Sequence, residues 1–134
     1  KVIHTGDITQ AETLSQFSRL NCSLSAVLGN NDLQEKGLKD VSAINGFTLQ
    51  LPPLFLTIEN RKIAIFHEPD DIDELIKNDP SIELILHGHT HRYRNEKVGN
   101  AIVINPGECS GMIKGKNAIG LIRLSDLKFE RIFF

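Results

Sequence analysis

Apolar residues recur along the chain in short runs, at 1–4, 23–28, 54–58, 62–66, 82–86 and 101–104, each closed by a polar or glycine-containing turn. Runs of that length bounded by Gly, Asn, Asp and Pro read as β-strands. Between them the period changes. Ala11, Leu14, Phe17 and Leu20 follow helical spacing, and Thr9-x-x-Glu12 ahead of them fits a capping box, with Asn21 as the stop. Residues 34–46 are polar and without a strong period, which predicts a loop holding a short helix. Runs 54–58 and 62–66 flank Glu59-Asn60-Arg61 as a hairpin. From Pro69 the chain turns helical, with Asp70, Asp71, Asp73 and Glu74 complementing the first-turn dipole, and it stops at Asn78-Asp79-Pro80. A second hairpin spans 92–98 and 101–104 around Gly99-Asn100, and 118–124 pairs with 128–134 around Ser125-Asp126. Alternating strands and helices predict an α/β class in which ligands bind beyond the C-terminal ends of strands.

Composition narrows the function. The 134 residues suffice for one domain with its own core, spanning 1–134. A net charge of −2 gives no general grip on a nucleic-acid polymer but leaves room for a small phosphate at a metal site. No run reaches transmembrane length and no signal peptide opens the chain, so no membrane partner is expected and the cytoplasm is the expected compartment. Cys22 and Cys109 form no disulfide framework and read as reduced, structural thiols. Nothing in the sequence sets the oligomeric state.

The chemistry gathers where strands end. The run 82–86 leads into His87-Gly88-His89-Thr90-His91; the run at 1–4 leads into Thr5-Gly6-Asp7, 23–28 into Gly29-Asn30-Asn31-Asp32, and 62–66 into His67. Taken alone, Gly-Asn-Asn-Asp is an ordinary turn and a lone histidine turn is a solvated loop. Together, Asp7, Asn30, His67, His89 and His91 offer one carboxylate, one amide oxygen and three imidazoles. That mixture suits manganese, iron, nickel or zinc better than calcium, and the lack of thiolate argues against a structural zinc site. Alternation along an extended segment turns His87 away from His89, and the apolar setting of His4 marks it as packed, so both stay outside the set. Arg92 and Arg94 fit a solvated hairpin face as well as they fit anion steering.

Gly6-Asp7, Gly29-Asn30-Asn31-Asp32, His67 and Gly88-His89-Thr90-His91 follow one another in the order and spacing of the calcineurin-like metallophosphoesterase superfamily, which the chain resembles over essentially its whole length. The segment Asn105-Pro106-Gly107-Glu108-Cys109-Ser110-Gly111 resembles the small prokaryotic phosphodiesterase branch. The resemblance implies an α/β/β/α sandwich of two sheets with two divalent metal ions at the strand ends, manganese first, with nickel, iron and zinc as alternatives. It implies Asp7 as the bridging carboxylate, Asn30, His67 and His89 as ligands of the second ion, and His91 as a ligand of the first. It further implies hydrolysis of a small phosphodiester by a metal-bridging hydroxide, since two cations about 3.5–4 Å apart acidify water and hold a phosphate oxygen for in-line attack.

Two departures shape the expectation. Where many relatives carry a histidine after the motif asparagine, this chain has Asn31, the candidate catalytic residue, whose amide donates a hydrogen bond but no proton. That predicts a preference for diesters with good leaving groups over alkyl monoesters. The family's opening strand, ending in Asp-x-His, is absent ahead of Lys1, so the first metal site keeps only Asp7 and His91 while the second keeps four ligands. The expectation is a portion of a longer protein that binds metal better at the second site. The competing expectation is a non-catalytic protein-binding scaffold on the same fold, as in retromer's phosphoesterase-like subunit.

Overall fold

The structure, a computed structural model, describes residues 1–134. Its elements in chain order are β1 (Val2–His4), α1 (Ala11–Gln16) running into a 3₁₀ turn at Phe17–Arg19, β2 (Leu24–Val27), α2 (Leu38–Asn45) and β3 (Thr48–Gln50). They continue with β4 (Leu54–Ile58), β5 (Arg61–Ile65), α3 (Ile72–Asn78), β6 (Leu84–Leu86), β7 (Arg94–Val98), β8 (Ala101–Asn105), β9 (Ala118–Arg123) and β10 (Lys128–Phe133).

The largest sheet has the order β4-β5-β6-β8-β7. Its centre, β5-β6-β8, is parallel, with Ile63 opposite Leu84 and Leu84 opposite Ile102, while β4 and β7 are antiparallel edges. Parallel strands are buried on both faces, and alternation sorts their side chains. Ile63, Ile65, Leu84, Leu86 and Ile104 pack with Val27 and Leu54 on one face, with Ile3, Ile122 and Phe129 against them. Ala64, Phe66, Ile85 and Val103 pack on the other with Ile72 of α3. The parallel trio β1-β2-β3 therefore lies against the large sheet on one side, and on its other side Leu24 and Ala26 meet Leu14 of α1 and Leu38 of α2. The β9-β10 hairpin packs through Ile122 and Phe129 onto the same face of the large sheet as β1 and β2. Four layers result, helices, strands, strands, helix, which is the expected α/β/β/α sandwich. One of its two strand layers is built of two separately hydrogen-bonded pieces.

Three details differ from the sequence reading. The capping box does not form: α1 starts after Gln10 with no side-chain cap, and the Thr9 amide donates to Asp32 at 2.7 Å instead. At φ +66°, Thr9 is left-handed, not the extended conformation an N-cap needs. The strand β3 lies at the edge of its sheet and alternates exposed and half-buried residues, so it carries no apolar run to announce it. The two cysteines are free, in line with reduced thiols, but both are exposed, so the structural role expected of them is not seen as burial. No helix is long and apolar enough to cross a membrane.

Candidate metal centre

Parallel strands align their C-terminal ends, and the loops leaving them meet. Asp7 follows β1, Asn30, Asn31 and Asp32 follow β2, His67 follows β5, and the histidine turn follows β6. Close approach of these loops requires glycine at two places. A Cβ on Gly6 would stand 2.5 Å from His67 Nδ1 and 2.8 Å from the Gly29 amide, and one on Gly29 would stand 2.7 Å from His67 Cε1. The buried Asp32 carboxylate ties the first two loops together, accepting from Thr9 N at 2.7 Å and from Gly29 N at 2.8 Å.

Four of the five expected ligands converge. His67 Nε2 lies 2.9 Å from Asn30 Oδ1, 3.2 Å from His89 Nδ1 and 3.4 Å from Asp7 Oδ2, and His89 Nδ1 lies 3.1 Å from Asn30 Oδ1. The other nitrogen of His67, Nδ1, is 2.8 Å from the Thr5 carbonyl, which can only accept, and a ring proton assigned to Nδ1 would donate there. In the neutral ring Nε2 is then a lone pair turned towards an amide oxygen and a carboxylate. A cation relieves that crowding of acceptors, and a backbone carbonyl bracing the far nitrogen is the usual support for a ligating histidine. Tetrahedral ligands of a small divalent ion stand roughly 3.4 Å from each other; these four side chains approach that spacing, although no group of three or more His, Cys, Asp or Glu side chains is already arranged around a metal position.

Backbone strain coincides with these residues. Asp7 (φ +58°), His89 (φ +61°) and His91 (φ +56°) are left-handed without being glycine, at about 1–3 kcal/mol each. Asn105, fully buried at the end of β8, holds the histidine turn: its Nδ2 donates to Gly88 O at 2.8 Å and to Thr90 Oγ1 at 3.2 Å, and its Oδ1 accepts from Gly107 N. Sequence reading missed Asp32 and Asn105 as organisers. Their partners lie 23 and 17 residues away, beyond any local pattern.

The remaining site residues take distinct places. Asn31 donates to both oxygens of Asp7, from its backbone N at 3.0 Å and its Nδ2 at 2.8 Å, so its amide orients the carboxylate. His91 is exposed and makes no hydrogen bond to the cluster. His87 is buried, and burial lowers its pKa. His4 accepts from Gly6 N at 3.2 Å and meets Phe17 edge-on; burial lowers its pKa too. In the loop after β8, the Ser110 hydroxyl and the Ile113 amide hold Glu108 below the usual carboxylate range. Desolvation and that carboxylate push the neighbouring Cys109 thiol up, away from nucleophilic activation.

A four-layer α/β/β/α sandwich carrying this motif order at its strand ends defines the phosphoesterase class. Comparison with known proteins agrees, and the chain belongs to the calcineurin-like phosphoesterase superfamily, whose domain description fits residues 1–126. It is 30% identical over 133 residues to a phosphodiesterase of Methanocaldococcus jannaschii, covering 98% of this chain and 80% of that protein. A solved archaeal phosphodiesterase superposes with a TM-score of 0.87 at 30% identity, over 99% of this chain and 82% of that one. The fold alone is shared with a Vps29 variant from Entamoeba histolytica, at a TM-score of 0.66 and 20% identity over 99% of this chain and 81% of that one.

Proposed function

We propose that this chain is a divalent-metal-dependent phosphodiesterase acting on a small phosphodiester in the cytoplasm. The observation that carries the reading is the set of donor atoms of Asp7, Asn30, His67 and His89 facing one another at 2.9–3.4 Å, with His67 Nδ1 2.8 Å from Thr5 O. Asp7, Asn30, His67 and His89 would hold one ion, and His91 with Asp7 would serve a second. Manganese is the first candidate, then nickel, iron and zinc. Such ions supply Lewis-acid polarisation and acidify water near neutral pH. The chain's own contribution is positional. Asn31 fixes Asp7 through two hydrogen bonds, Thr5 O sets the tautomer of His67, and Asn105 sets the turn that presents His89. Asn31 has no proton to give, so a departing group must leave as a stable anion.

The test is hydrolysis of bis(4-nitrophenyl) phosphate with and without manganese, beside an alkyl phosphate monoester. The expected outcome is manganese-dependent turnover of the diester, abolished by EDTA, well above that of the monoester. Monoester turnover above that of the diester would refute the reading. The second reading, a non-catalytic scaffold, draws on the outward face of β9-β10, where Ile119, Leu121 and Ile132 are 49%, 58% and 42% exposed. Absence of hydrolysis with all four metals would favour it.

A further inference from the structure

The C-terminal hairpin holds a guanidinium for which the fold provides no anion. Arg61, Arg94 and Arg123 each pair with a carboxylate, Glu83, Glu96 and Asp126 respectively; Arg131 of β10 belongs to none of the ion pairs, and unlike Arg19 and Arg92, which are also unpaired, it has a buried donor. Its Nε is buried and has no hydrogen-bond partner. A donor left so is destabilising, and the surroundings hold it there. The guanidinium carbon lies 4.6 Å from the centre of the Tyr93 ring and 4.4 Å from that of Phe133, and Tyr93 in turn stacks on Phe129 at 6.2 Å. A guanidinium packed on rings has its faces covered, and with Nε buried it is the Nη1–Nη2 edge that is left for an oxyanion.

Its place is beside the candidate centre. A Cβ on Gly107 would stand 3.1 Å from Arg131 Nη2 and 4.0 Å from Tyr93 N, so the missing side chain of that glycine makes room for the guanidinium. Gly107 N donates to the Asn105 side chain that braces the histidine turn, and Tyr93 follows His91 by two residues. The guanidinium thus lies between the loop after β8 and the chain that leaves the histidine turn. The one carboxylate in the adjoining loop, Glu108, is occupied by Ser110 Oγ, Met112 N and Ile113 N and does not neutralise it.

We propose that Arg131, braced by Tyr93 and Phe133 and given room by Gly107, binds a phosphate or carboxylate that the substrate carries beyond the diester to be cleaved. Its part in substrate choice rests on the phosphodiesterase reading; the binding of an oxyanion does not.

The chain has one tyrosine and no tryptophan, so its tyrosine emission reports Tyr93 alone. EDTA-treated protein is titrated with inorganic phosphate and, separately, with acetate, which distinguishes the two oxyanions. A saturable change in Tyr93 emission is expected with at least one of them, weakened roughly tenfold to hundredfold in Arg131→Gln. Circular dichroism checks that the variant is folded. Arg131→Lys, which keeps the charge but loses the fork, is expected to weaken binding about tenfold and serves should the glutamine variant not fold. No saturable response in the wild type, or equal affinity in a folded variant, overturns the proposal. With manganese present, Arg131→Gln should raise KM for a diester bearing a second phosphate more than for bis(4-nitrophenyl) phosphate. Phosphate or acetate binding without any hydrolysis would sink the phosphodiesterase reading and leave the oxyanion site standing.

Discussion

Replacing Asp32 tests whether the site is assembled by contacts between loops. The carboxylate is 2% exposed and accepts two backbone amides, Thr9 N at 2.7 Å and Gly29 N at 2.8 Å, one from each of the loops that carry Asp7 and Asn30. Hydrogen bonds to a charged acceptor contribute about 1.5–3 kcal/mol each. Asp32→Ala removes both. Thr9 is exposed, so water can reach its amide and recover part of that loss, whereas Gly29 is buried and its amide is left without a partner. The net cost is about 2–4 kcal/mol, against a total of about 5–15 kcal/mol for a domain of this kind. Asp32→Asn keeps one acceptor oxygen and turns an amide donor towards the other N–H, so it should fall between wild type and alanine. Equilibrium urea unfolding is the assay: with a slope of about 2 kcal/mol per molar, the alanine midpoint should drop by about 1–2 M at unchanged slope. Manganese affinity should fall as well, because Asp7 and Asn30 lose their common anchor. A cost under about 1 kcal/mol for Asp32→Ala would refute the claim that this carboxylate joins the loops.

Two further outcomes are expected. Manganese at one hundred times its dissociation constant should stabilise the chain by about 2.7 kcal/mol, a rise in melting temperature of about 10 °C. His89→Ala, at an exposed position, should remove most of that rise with little effect on the metal-free melting temperature; an undiminished rise would place the ion elsewhere. His4 has a pKa below its ordinary 6.5, mainly through burial, with Asp32, His67 and Asp7 as the titratable groups facing it. The unfolded chain therefore binds the extra proton first. The contribution is fully present above about pH 6.5 and is lost as pH falls below that towards the folded value. His4→Phe keeps the contact with Phe17 and should flatten stability against pH below about 6.5, measured by urea midpoints; an unchanged slope would locate that titration in another group.

What the sequence made legible follows from where the physics is local. The runs that became β5, β6 and β8 are apolar because parallel strands are covered on both faces, so they stand out without reference to any partner. The residues just beyond them stand out for the opposite reason, since His67 and the histidine turn interrupt apolar runs where neither capping nor turn chemistry calls for imidazole. The strand β3 was hidden because an edge strand with exposed Thr48 and Gln50 needs no apolar signature. The capping box misled because Thr9-x-x-Glu12 is a local rule, and a buried carboxylate 23 residues away took the Thr9 amide in its place.

The same distinction separates the ligands from what positions them. Asp7, His89 and His91 adopt left-handed backbone that is uncommon for any residue with a Cβ, and although Asp and His enter it more readily than most, local preference alone does not select it. It is imposed from outside, by Asp32 across the first two loops, by Asn105 under the histidine turn, and by the glycines at 6 and 29 that let the loops touch. Ligand identity can therefore be read from spacing along the chain, whereas ligand geometry belongs to residues that no spacing rule selects. It follows that Asp32→Ala and an equivalent change at Asn105 should weaken metal binding without altering a single donor atom. A chain whose site depended on its ligands alone would tolerate both.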